Sequence, residues 1–341
     1  MDELRRRRLV TSARLDLLED PSAIGLSEAV ADDELRLIFL CCRPELPERA
    51  RVALSLKTVA GLSVGEIARA FFETEATVAQ RIVRAKRTLR AGGYELALPD
   101  SAGLEMRVDA VLEVIYLLFS AGYTTADGEA LFREELCFDA IRLARLVSDS
   151  AVGTPKAHAL VALAAFQAMR LPGRLDAVGA LIPLEQQDRG RWDRGLAELG
   201  LAYFERSIGG EVSPYHIQAA IGLHYAQSLF SGEIDWVKIV FEYDRLLLLD
   251  PSPVVALNRA VAVGRAFGAN AGLEALGSAL GGTWSDEYYL GHAVRGQLLL
   301  EAGRSAEAKV WLERALRYGG SGPERRLIER RLAECAAAAC G

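Results

Sequence analysis

The chain has 341 residues, a formal net charge of −6 and slightly more than half apolar residues. That length can build two or three domains with real cores, and the composition excludes a disordered chain. Polar and glycine positions interrupt every apolar run before it can span a bilayer, and five irregularly spaced cysteines exclude a disulfide framework.

Alanine and leucine dominate and β-branched runs are short, which predicts an all-α protein. The basic N-terminus has no apolar signal-type core behind it, so a cytoplasmic location is the default expectation. Residues 1–30 begin with the cluster Arg5 to Arg8, and Pro21, Ser22 and Gly25 then read as a linker. A helix follows from Asp32 or Asp33, with Leu35, Ile38, Phe39 and Cys42 on its apolar side and Pro44 and Pro47 at its end. The stretch ERARVALSLKTVAG predicts the next helix, closing at Gly61.

Two short helices across a tight corner come next, in LSVGEIARAFFETEATVAQRIVRAKRTLR. Ser63 and Glu66 have capping-box spacing at the first, and Thr74 or Glu75 begins the second. Val78, Ile82, Ala85 and Leu89 form one apolar stripe, while Ile67 supports the partner helix. Thr77, Gln80, Arg81, Arg84, Lys86, Arg87 and Arg90 fall largely outside the stripe, and no acid occurs between Thr77 and Arg90. This is the layout of a helix-turn-helix. Gln80 and Arg81 lie near enough to the helix start to reach base edges, and Arg84, Lys86, Arg87 and Arg90 suit phosphates. A basic surface helix of an ordinary helical domain has the same periodicity. Gly92 and Gly93 end this module, which spans 31–92. The first hundred residues carry no net charge and the remainder is acidic, a distribution compatible with a DNA-contacting head on a body that avoids DNA.

From 100 to 341 the pattern is a series of helices with Gly, Pro or Asp at their joints. MRVDAVLEVIYLLFSAGY, FREELCFDAIRLARLVSD and KAHALVALAAFQAMRL are the first three. The stretch after them crowds Glu185, Asp188, Arg191, Asp193 and Arg194 around Trp192. It reads either as a partner-recognition cluster or as a helix start capped by Asp188 and tied by ion pairs. No nucleophile, phosphate loop or metal triad accompanies it, so no catalytic residue, metal or cofactor is implied. Adjacent Cys41 and Cys42, and His216 with His224, read as packing or capping residues. Further helices turn at Asp250-Pro251, Gly268 and Gly303, with Ala306, Ala308, Trp311, Leu312 and Leu316 packing the last pair.

The stretch CCRPELPERARVALSLKTVAGLSVGEIARAFFETEATVAQRIVRAKRTLR resembles region 4 of the extracytoplasmic-function class of bacterial sigma factors. The resemblance implies binding to a −35-like promoter element and to RNA polymerase core. It places Thr77, Gln80, Arg81 and Arg84 on the DNA-facing side and Ser63, Glu66 and Ile67 on the supporting helix. It also implies that Arg5 to Arg8 are the end of an otherwise missing region 2, the domain that melts promoters. The later helix pairs resemble tetratricopeptide repeats, most clearly the last pair, and imply a groove for a regulatory protein or peptide. The resulting expectation is a transcription initiation factor regulated by its C-terminal helical domain, with no membrane partner. The alternative is a helical-repeat interaction module without promoter binding of its own.

Overall fold

The computed structural model describes residues 32–71, 73–92, 100–124, 131–279 and 288–340. The Arg5 to Arg8 cluster, the linker reading and Gly93 lie outside the described residues. Sixteen α-helices make up the described architecture, with one isolated β-bridge between Leu175 and Leu181. The chain divides into two compact units: one of Met1–Ala126, Phe132–Ala168 and Glu198–Gly210, the other of Asp127–Leu131, Met169–Ala197 and Glu211–Gly341.

The first unit begins with α1 (Asp33–Cys41), α2 (Glu48–Thr58), α3 (Val64–Ala70) and α4 (Glu75–Ala91). Asp32 starts α1 by accepting from the Leu35 amide at 2.9 Å, and Pro47 precedes α2. Leu35, Ile38, Phe39, Val52, Leu56, Ile67, Val78 and Ile82 are buried together with Cys41 and Cys42. A short α5 (Ser101–Glu105) leads into α6 (Val108–Tyr123), α7 (Glu134–Ser148) and α8 (Pro155–Ala168). α6 packs against α1, α2 and α3 as well as α7, so the helix-turn-helix and the helices after it share one packed body. Polar contacts at the same seam add direction. The buried Arg107 guanidinium donates to the Phe39 carbonyl at 3.0 Å, and Arg142 pairs with both Asp32 and Glu34.

α8 is apolar nearly all round and is accordingly buried from Ala157 to Phe166. The segment 198–206 of α9 (Arg194–Arg206) packs closely at Phe166, because Gly200 carries no side chain. A Cβ on Gly200 would lie 2.5 Å from the Phe166 ring.

The second unit carries α10 (Pro214–Ser231), α11 (Trp236–Leu249), α12 (Pro253–Phe267), α13 (Ala269–Ala279), α14 (Tyr289–Glu301), α15 (Ser305–Tyr318) and α16 (Gly322–Cys340). Each helix packs on the one before it, and α14 also touches α12 and α16. Gly268 (φ 96°) and Gly303 (φ 74°) turn the chain where the sequence places corners, in conformations that side chains disfavour. Gly296 admits the buried Leu312 side chain between α14 and α15. Ala308, Leu312, Ala315 and Ile328 form a core, flanked by Trp311 and Leu316. Ala306, expected in this packing, is instead exposed, because it sits a half-turn from the buried Ala308.

Gly200→Ala is expected to lower stability by about 1–3 kcal/mol, because the enclosed Phe166 ring cannot yield. Gly277→Ala, at an exposed helical position with nothing within 4 Å, is expected to raise it by up to about 1 kcal/mol. Denaturant titrations of both variants check the opposed signs; two shifts of the same sign would contradict this packing.

Candidate nucleic-acid interface

Local sequence starts both helices of the helix-turn-helix. The Ser63 hydroxyl accepts from the Glu66 amide at 3.1 Å, and the Glu66 carboxylate accepts from the Ser63 amide at 2.7 Å. This is the expected capping box, closed from both sides. Thr74 caps α4 by accepting from the Thr77 amide at 3.3 Å. Val78, Ile82 and Ala85 are buried and Leu89 is half-buried, so the apolar stripe seats α4 on the rest of the unit.

The opposite face of α4 is open. Thr77, Gln80, Arg84, Lys86, Arg87 and Arg90 are all exposed, and the four cations among them make no ion pair with a described residue. Arg81 differs. Its two terminal nitrogens donate to the Glu73 carboxylate at 2.6 and 3.0 Å, and its guanidinium lies 5.7 Å from the Phe71 ring centroid. Arg49 reaches the same carboxylate from α2 at 2.7 Å and lies over the same ring. Glu73 thus ties α2 and α4 across the corner, and Arg81 braces that corner.

Sequence reasoning missed Glu73 and Arg49. The available signal was a lone acid in the turn, whose partners lie 24 residues before it and eight after it. The hydrogen bonds from Arg81 hold the Glu73 carboxyl below the usual range, with Arg49 adding to them against a smaller burial cost. Glu66 is also held low: burial opposes its charge, but Ser63 and the Arg133 guanidinium at 2.7 Å outweigh it.

The second expected cluster does not converge on one place. Trp192 is buried, with its indole over Gly173 and the Arg170 guanidinium 5.9 Å from its ring. Asp188 does not cap the long helix. It accepts from the Gly190 amide at 2.9 Å and caps only the single 3-10 turn Arg189–Arg191. The cap of α9 is Asp193, which accepts from the Leu196 amide at 3.2 Å and is buried, as Asp188 is not. Glu185 pairs with Arg265, Arg191 donates to the Leu175 carbonyl at 3.3 Å, and Arg194 is exposed. His216 accepts from the Ser213 amide at 3.1 Å as a capping residue. Cys41 and Cys42 are buried, and burial pushes the Cys42 thiol up to about 12. Among the described residues no group of three His, Cys, Asp or Glu could hold a metal ion, and no helix is long and apolar enough to cross a membrane.

The depressed Glu73 pKa stabilises the folded state above the unfolded carboxyl value near 4.5, and that stability is lost as pH falls through the lower folded value. Glu73→Gln is therefore expected to cost about 1 kcal/mol at pH 7 and progressively less below pH ~4.5. Melting curves of both proteins from pH 7 to pH 3 check this; a gap that widens in acid would contradict the brace.

Comparison with known proteins matches residues 36–89 to the family model for sigma-70, region 4. Residues 107–208 match a family of unknown function, DUF6596. That second match opens on Arg107, the residue bound to the Phe39 carbonyl, and includes α6. The uncharacterized protein R00370 of Rhizobium meliloti (strain 1021) is 40% identical over 310 residues, which is 90% of this chain and 72% of that protein. No solved structure matches. The chain therefore carries a sigma-70 region 4-like helix-turn-helix at residues 36–89 and belongs to the same family as the Rhizobium meliloti protein.

Proposed function

We propose that this protein acts at transcription initiation, with α4 in the major groove of a −35-like promoter element and the region 4-like module also touching RNA polymerase core. The observation that carries this reading is the outward face of α4, where Thr77, Gln80, Arg84, Lys86, Arg87 and Arg90 stand exposed with no acid among them. Thr77 and Gln80 read base edges from the first turns of the helix, and Arg84, which spacing alone suits to a phosphate, takes the base-reading place that Arg81 leaves. Lys86, Arg87 and Arg90 neutralise phosphates. Arg81, expected among the base readers, is assigned to hold α4 at its angle, since Glu73 occupies both of its terminal nitrogens. Contacts of this kind are noncovalent, so the reading calls for no catalytic residue.

The helical body from α10 to α16 regulates that activity by recruiting a protein or peptide. Recurring packing of successive helices supports a tetratricopeptide-like stack, as do the Gly296–Leu312 and Gly264–Leu298 approaches. The location that follows from a polymerase partner is cytoplasmic.

The test is fluorescence anisotropy of the full chain with promoter and random duplexes, with and without polymerase core. Gln80→Ala and Arg84→Ala should each cost about 1–3 kcal/mol on the promoter duplex and much less on random duplex. Arg87→Ala should weaken both duplexes alike and reduce the salt slope by about 1. Equal losses on both duplexes for all three variants would overturn the division of roles. Core binding with no contribution from any of these side chains would favour an interaction module without promoter contact.

A further inference from the structure

The second unit carries a half-open cavity of about 360 Å³ that the promoter reading does not use. Its walls come from the segment 181–185 and from α10, α11, α12, α14 and α16. Most of the lining is apolar, including the aromatic rings of Tyr225, Trp236 and Tyr243 and the aliphatic side chains of Val261, Leu290 and Leu327. Such size and lining fit a small organic molecule.

The charged groups in the wall identify which kind of molecule. Four line the cavity: Glu185, Arg265, Glu324 and Arg331. Arg265 is neutralised twice, by Glu185 and by Glu301 at 2.6 Å. Glu324 accepts from the Ser321 amide and hydroxyl, both at 2.8 Å, and from the Tyr289 hydroxyl at 3.2 Å. Arg331 alone of the four has neither a hydrogen bond nor an ion pair with a described residue. Glu301 and Glu334 act on it only at longer range, and burial pulls its guanidinium down to about 10. Arg331 is only partly buried, so its five N–H donors are met by solvent and by no side chain of the wall. A carboxylate entering the cavity would satisfy them in bidentate fashion while its apolar part fills the space.

We infer that this cavity binds a small organic acid, an apolar chain or ring bearing one carboxylate, with the acid group on Arg331 and the apolar part among Tyr225, Trp236 and Tyr243. The inference stands on the second unit alone and holds whether or not α4 binds DNA.

Isothermal titration of the full chain with decanoate, indole-3-propionate and the neutral decanol tests it. Decanoate or indole-3-propionate should bind saturably at one site per chain, and decanol at least about tenfold more weakly than decanoate. Arg331→Gln should weaken the acids at least about tenfold and leave decanol within about twofold. Val261→Trp, which fills the cavity, should abolish binding of all three. Because Arg331→Gln removes an unpaired, partly buried charge, its melting temperature should not fall below that of the parent chain. Four results would each overturn the assignment: no saturable binding of either acid, equal affinity for acid and alcohol, acid affinity that survives either substitution, or a marked loss of stability in Arg331→Gln.

Discussion

The Glu73 carboxylate is the smallest part of this molecule on which the placement of α4 depends. It sits in the corner between α3 and α4 and holds Arg49 from one side and Arg81 from the other, above the Phe71 ring. A helix-turn-helix works by presenting one helix at a set angle, and a two-helix corner has little core with which to set that angle. The buried stripe of Val78, Ile82 and Ala85 fixes which face of α4 points inward. The clamp fixes the pitch of its first turns, and it takes Arg81 out of the free cations while leaving Gln80 and Arg84 outward.

A second constraint acts from behind. Arg107 and α6 close on α1, α2 and α3, and Glu66 joins the cap of α3 to Arg133 just ahead of α7. The residue that completes the capping box is thus also the residue that ties the helix-turn-helix to the helices after it. The region 4-like module and the following helices behave as one packed piece, so any signal that moves α6 or α7 acts directly on the support of α4. Movement of the helices after the helix-turn-helix reaches it without a long relay in the first unit, since Glu66 and Arg133 are already in contact.

How much was legible in the sequence follows from the range of each interaction. Caps are local: Ser63 with Glu66, Thr74 with the Thr77 amide, and Asp32 with the Leu35 amide all span three residues, and all were readable from spacing. Periodicity exposed the inward stripe of α4 and its cationic outer face. The Arg49 arm of the clamp at Glu73, the bond from Arg107 to Phe39 and the pairing of Arg142 with Asp32 connect residues well apart in the chain, beyond any one helix-length window, while the Arg81 arm spans only eight residues. Asp188 against Asp193 shows a different limit. Both lie before an amphipathic helix and both are good caps; burial of Asp193 beside Trp192 decides between them, and burial is a property of the packed chain. The unpaired state of Arg331 was equally invisible, because it depends on Glu185 and Glu301 having been taken by Arg265.

The most direct measurement for the central claim is photo-cross-linking from a reactive side chain placed at position 80, with position 317 on α15 as the comparison. Both positions are exposed, and only the first lies on the outer face of α4. In the presence of polymerase core and a promoter duplex, position 80 is expected to give adducts that map to the −35-like element, and position 317 none. Adducts from position 317 alone, or none from position 80 while core is bound, would contradict it.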